Sequence, residues 1–191
     1  MVALPGETLG QHAASTDSMA AIRAGRWQFV VIQEQSQIPA DVSLRQSEMY
    51  PAARTLVAAV ERSGGVPILL ETWAHRNGWP NRGLDYDSMQ KAIDQAYRQL
   101  GAELGTDVAP GGEVWQSLVG HDPAASESSA IADTLWQPDG SHPTTAGTYL
   151  AGCTLYAEIF DATPVGLSDS EDLAPELVGR LQQASEVAAA P

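Results

Sequence analysis

Cysteine occurs once in this sequence, at Cys153, so no disulfide can close within the chain and no multi-cysteine metal knuckle can be built. In the run Leu150-Ala151-Gly152-Cys153 it reads as a small apolar residue facing inward. Basic side chains are also scarce: 10 Lys and Arg stand against 24 Asp and Glu, a net charge of -14. A phosphate backbone would be repelled, and nucleic acid is not expected as a partner. There is no run of about 18 apolar residues, so no membrane-spanning helix is expected. Met1-Val2-Ala3-Leu4-Pro5-Gly6 is too short for a signal peptide, and the sequence as it stands reads as soluble. The histidines His12, His75, His121 and His142 show no H-E-x-x-H or comparable spacing. Neither a G-x-x-x-x-G-K loop nor a dinucleotide fingerprint is present, so chemistry without metal or cofactor is expected.

What is there is enough for one domain. A chain of 191 residues can bury a sizeable core without staples, and neither repeats nor a long linker divide it. Trp27-Gln28-Phe29-Val30-Val31-Ile32-Gln33 and Val66-Pro67-Ile68-Leu69-Leu70-Glu71-Thr72 are apolar runs without polar alternation, as in strands covered on both faces. Shorter strands are expected at Thr106-Asp107-Val108-Ala109-Pro110 and at Val2-Ala3-Leu4. Between them lie helical patterns over residues 8–24, 44–62 and 86–104, the last with Met89, Ile93, Tyr97 and Leu100 on one face. A further helix follows His142, and a closing one is expected over residues 173–187, with Leu173, Leu177 and Leu181 on one stripe. Residues 121–134 show little pattern and read as a loop. This alternation predicts an α/β fold, a parallel sheet with helices on both sides.

In such sheets ligands bind beyond the carboxyl ends of the strands. Those ends carry Leu4-Pro5-Gly6-Glu7, Gln33-Glu34-Gln35-Ser36-Gln37, Glu71-Thr72-Trp73-Ala74-His75-Arg76 and Ala109-Pro110-Gly111-Gly112-Glu113. The later stretch Pro138-Asp139-Gly140-Ser141-His142-Pro143 places a carboxylate and an imidazole three residues apart. That pairing suits acid–base chemistry, because a histidine base needs a carboxylate to fix its tautomer and stabilise the imidazolium. The plainer reading is an Asp-Gly turn with Pro143 as the first helical residue. Trp73 and Trp136 could stack on a sugar ring or close the core, His75 could line a cleft, and Arg76 could pair with an acidic neighbour.

Asp139-Gly140-Ser141-His142-Pro143, followed by Ala146-Gly147-Thr148-Tyr149-Leu150-Ala151, resembles the last block of the SGNH (GDSL-like) serine hydrolases. Val30-Val31-Ile32-Gln33-Glu34-Gln35-Ser36 resembles the third block of a bacterial branch in which Gln-Glu replaces Gly-x-Asn-Asp. Thr72-Trp73-Ala74-His75-Arg76, Tyr86-Asp87-Ser88-Met89 and Leu4-Pro5-Gly6-Glu7-Thr8-Leu9 are similar to that branch as well. The resemblance implies a flavodoxin-like three-layer α/β/α sandwich and hydrolysis of small acyl esters, including acetyl groups on carbohydrate. It implies that Asp139 and His142 are two members of a catalytic triad. Gly6 and Gln33 would then be oxyanion donors, with Gln35 or Ser36 as alternatives in the third block. For Gly6 the competing reading is a simple strand-to-helix turn, and for Gln33-Ser36 a polar loop capping the next helix.

One part of that pattern is missing. The block carrying the nucleophile, Gly-Asp-Ser or Gly-Asn-Ser, occurs nowhere in the sequence. The expectation is therefore a single SGNH-like domain over residues 1–191 that is incomplete at its N-terminus and lacks the central first strand. Among the serines present, Ser36 is the best internal substitute because it follows a buried strand, but it would need a base within hydrogen-bond reach. Ser141 is expected to point away from His142, and Ser15 and Ser18 to face solvent from a helix. A non-catalytic remnant and an unrelated small-ligand binder of the same fold are the competing functional readings.

Overall fold

The computed structural model describes residues 6–168 and 173–188. The strand expected at Val2-Ala3-Leu4 lies outside them. Among the described residues three strands form one parallel sheet in the order β1 (Phe29–Ile32), β2 (Val66–Leu70), β3 (Val108–Ala109). Register pairs Val31 with Ile68 and Leu70 with Ala109. β2 is central, and Ile68, Leu69 and Leu70 are all buried, which is why that run carries no polar alternation.

The two-residue side-chain period splits the strands between two cores. Ile32 and Leu69 face the larger one, beneath α5 (Tyr50–Arg62) and α6 (Tyr86–Leu104). Ile68, Leu70 and Ala109 face the smaller one, with Phe29, Leu155 and Ile159, beneath α9 (Thr145–Phe160). The result is helix, sheet, helix, as the alternating pattern predicts. Cys153 is buried on α9, as its neighbours suggest. α10 (Pro175–Ala188) packs on α9 and contributes Leu181 to the core. Among the described residues no helix is long and apolar enough to cross a membrane.

Several local expectations change. The helix read over residues 8–24 is two helices, α1 (Leu9–Ala14) and α2 (Thr16–Arg23), because Ser15 adopts an extended conformation and its hydroxyl accepts the Ser18 N–H. The backbone finds a cap in mid-segment and restarts there. The pattern from residue 44 is entered through short helices α3 (Gln37–Ala40) and α4 (Val42–Leu44) and a π-helical turn, Arg45–Met49, before α5. The loop read over residues 121–134 contains α8 (Ser129–Leu135), which buries Ile131 and Leu135 four residues apart. The Gly111-Gly112 loop is the first turn of α7 (Gly111–Val119). A Cβ on Gly111 would lie 2.5 Å from the Glu71 carbonyl oxygen, and one on Gly112 would lie 2.5 Å from the Thr72 carbonyl oxygen. Glycine is required there by the close approach of α7 to the strand end, which the sequence presents as a turn.

Candidate active site

The turn between α8 and α9 is built around one carboxylate. Asp139 Oδ1 accepts the backbone N–H groups of Ser141 at 2.8 Å and His142 at 2.9 Å, while Gly140 takes a positive φ of 70° that permits the reversal. The Gly140 N–H donates to the Gln137 carbonyl and the Gln137 N–H to that of His142, both at 2.8 Å. Pro143 is not the first helical residue: it bridges back to Trp136, and Thr144 caps α9 through its hydroxyl. The loop after β2 braces the turn from its other side. There the Trp73 indole N–H donates to the Ser141 carbonyl at 3.1 Å, and the Arg76 N–H to the Gly140 carbonyl at 2.7 Å. Arg76 also pairs with Asp133 on α8.

On this frame His142 Nδ1 lies 2.7 Å from Asp139 Oδ2. The two backbone N–H groups, and then the His142 side chain, hold the Asp139 carboxyl well below the usual carboxylate range. An ionised carboxylate only accepts, so Nδ1 must donate, and neutral His142 then carries its free lone pair on Nε2. The imidazole is 70% exposed, so that lone pair is open to a reactant. Ser141 is closer to the ring than expected, with its Oγ 3.3 Å from His142 Nδ1 and 3.2 Å from Asp139 Oδ1. Both contacts are on the carboxylate side, away from Nε2.

His75, in the loop after β2, lies in the field of both Asp139 and His142. Its Nε2 is 2.9 Å from Ser36 Oγ, which joins the loops after β1 and β2. Burial, chiefly, pushes the His75 pKa down and favours the neutral ring. Of the other expected residues, Gln33 lies exposed just beyond β1, and Gly6 is an exposed turn residue with φ 74° and open space where a Cβ would sit. The Gln35 side-chain oxygen accepts the Gln37 N–H at 2.9 Å, so this amide serves its own loop. Trp73 is placed in the core rather than as a platform for a sugar. It stacks on Trp115 at 4.2 Å between ring centroids, and Trp136, also buried, packs against Trp115 at 5.4 Å.

Two features were not legible as such. Glu34 is buried, and its Oε1 accepts the N–H groups of Leu9 at 3.2 Å and Gln35 at 2.8 Å, while Oε2 has no partner. Burial, outweighing those bonds, raises its pKa to about 7. The available signal was position, since Glu34 follows the buried Ile32 by two residues and so shares its inward side. Ser18, expected to face solvent, is buried instead with its hydroxyl 3.0 Å from His12 Nδ1, and His12 Nε2 lies 3.4 Å from Glu7. Away from the turn, Glu71, Asp94 and Glu113 bring ligand atoms within 4.8 Å of one another, the arrangement among the described residues most able to hold a cation. Glu71 accepts the Glu113 N–H at 3.0 Å, and Arg98 pairs with Glu113. Burial and the neighbouring Asp94 drive the Glu71 carboxyl upward, which favours a protonated, uncharged form.

No family model and no curated protein matches the chain. Similar solved structures include a DUF4886 family protein from Bacteroides uniformis ATCC 8492, with a TM-score of 0.77 and 18% identity over 97% of this chain and 80% of that one. They also include a protein from Slackia heliotrinireducens assigned by inference to the SGNH hydrolases, with a TM-score of 0.66 and 27% identity over 81% of this chain and 80% of that one. The chain therefore has an α/β fold of the SGNH-hydrolase kind, its parallel sheet flanked by helices.

Proposed function

We propose that this domain hydrolyses small acyl esters, with acetyl groups on carbohydrate as the leading substrate class. The observation that carries the reading is the 2.7 Å contact from His142 Nδ1 to an Asp139 carboxyl held well below the usual carboxylate range, on an imidazole that is 70% exposed. In this role His142 takes a proton from the attacking hydroxyl and returns it to the departing group. Asp139 fixes the tautomer and stabilises the imidazolium between those steps. Gly6 through its N–H and Gln33 through its amide are proposed as donors to the oxyanion; one such donor is typically worth roughly 3 kcal/mol. The resembled family draws its nucleophile from a Gly-Asp-Ser or Gly-Asn-Ser block that this sequence does not contain. That absence favours one competing reading, a ligand-binding domain that keeps the cleft without turnover.

Hydrolysis of p-nitrophenyl acetate and of an acetylated xylo-oligosaccharide tests the proposal. Asp139→Asn and His142→Ala are each expected to lower turnover by roughly 10³-fold or more while the circular dichroism spectrum stays that of the parent. Binding of the oligosaccharide without release of acetate would establish the competing reading. Turnover unchanged in both variants would remove Asp139 and His142 from the chemistry.

A further inference from the structure

Three serines meet a histidine among the hydrogen bonds of the described residues: Ser141 lies 3.3 Å from His142 Nδ1, the nitrogen already held by Asp139, and burial separates the other two. Ser18 bonds His12, but at 5% exposure its hydroxyl is closed to any substrate. Ser36 bonds His75 Nε2 at 2.9 Å from a half-buried position, in a loop at the carboxyl end of the sheet. The ring it meets lies in the field of Asp139 and His142, so hydroxyl, imidazole and the Asp139–His142 pair occupy one neighbourhood. A hydroxyl becomes a nucleophile when a neutral base takes its proton as it attacks, and a desolvated imidazole kept neutral is such a base. The sequence set one condition on Ser36, a base within reach, and His75 meets it.

We propose that Ser36 is the acyl-accepting nucleophile of this chain and His75 its general base. The proposal rests on the ester-hydrolysis reading with one change of role: His75 rather than His142 takes the serine proton in acylation, and His142 keeps the deacylation step. In acylation Ser36 Oγ bonds to the acyl carbon and its proton passes to His75 Nε2. As the bond from acyl carbon to alcohol oxygen breaks, that proton leaves with the alcohol. In deacylation a water oxygen bonds to the acyl carbon, and His142 Nε2 takes the water proton and returns it to Ser36 Oγ as the ester to Ser36 breaks. A carboxylic acid departs and the serine is restored. The Ser36–His75 bond also clasps two loops, so the test must separate reactivity from a merely structural tie.

A fluorophosphonate reacts with an activated serine without needing a fitted ester, and peptide mass spectrometry locates the adduct. The 191-residue chain is expected to gain one adduct, on Ser36. Ser36→Ala abolishes it, and Ser36→Cys transfers reactivity to iodoacetamide. His75→Ala slows labelling by roughly 100-fold or more. With p-nitrophenyl acetate, His142→Ala is expected to release one burst of nitrophenol per chain and then stall as the acyl-enzyme. An adduct on Ser18 or any other residue, or a folded chain that gains none, overturns the proposal. If turnover survives Ser36→Ala but is lost in His142→Ala, the nucleophile assignment falls and the esterase reading stands. A labelled Ser36 in a chain that turns over no acyl ester retains the nucleophile and sinks the esterase reading.

Discussion

Single residues differ here in how far their chemistry is written in their neighbours along the chain. Asp139 and His142 are three apart, and the contacts that define them, two backbone N–H groups and one ring nitrogen, all lie within the same turn. That pair was legible because its geometry is local. Ser36 and His75 are 39 residues apart and meet only because their strands are adjacent, so the bond between them could not be read in advance. Glu34 combines both cases: its inward direction follows from strand periodicity, but its burial depends on α1 closing over it through the Leu9 N–H. Its pKa, about 7 against an ordinary 4.5, fixes the sign of a pH effect. Between those values the folded chain holds a proton on Glu34 that the unfolded chain has lost, so this group favours folding least at high pH. Its cost is absent below about 4.5 and reaches on the order of 3 kcal/mol above about 7. Glu34→Gln should therefore gain stability relative to the parent as pH rises through that window. Urea midpoints of both proteins at the two ends of the window test this, and a constant difference between them would show that Glu34 does not titrate there.

Elements were easiest to read where apolar spacing was long and uninterrupted. The 19 residues of α6 coincide with their expected span, because Asp85 caps one end, Gly105 ends the other, and the buried stripe is continuous between. The segment around α1 and α2 broke at Ser15, whose hydroxyl offered a competing partner to the backbone. α7 was hidden by two glycines that serve packing rather than turning. Gly147 near the start of α9 belongs to the same class, since a Cβ there would lie 2.5 Å from both the Leu135 carbonyl oxygen and the Trp115 ring. Gly147→Ala is expected to cost about 1–3 kcal/mol in urea unfolding through overpacking. Because α9 follows directly from the turn bearing Asp139 and His142, the same variant should also lose turnover. Full stability in Gly147→Ala would mean that α9 can shift freely against Trp115, contrary to the packing described.

At the scale of the whole molecule, the strand at the sheet's edge is written as a central one. β1 is apolar throughout, yet among the described residues it is an outer strand with no further strand paired to its other edge. Val31 is 42% exposed, and Phe160, which packs edge-on against Phe29 of β1, is 59% exposed. Such an edge with an apolar flank favours association. The 191-residue chain should therefore self-associate with rising concentration in light scattering, and Val31→Lys should weaken this by roughly tenfold or more. A strictly monomeric parent at every concentration would refute the expectation. The α/β class, the apolar strands and the Asp139–His142 turn are legible in the residues alone, because each depends on periodicity or on bonds spanning a few residues. That Trp73 is core, that Glu34 is buried with one of its own oxygens unpartnered, and that Ser36 meets His75 follow from packing alone. Burial and contact across tens of residues depend on which strands lie side by side, and that arrangement is a property of the packed whole.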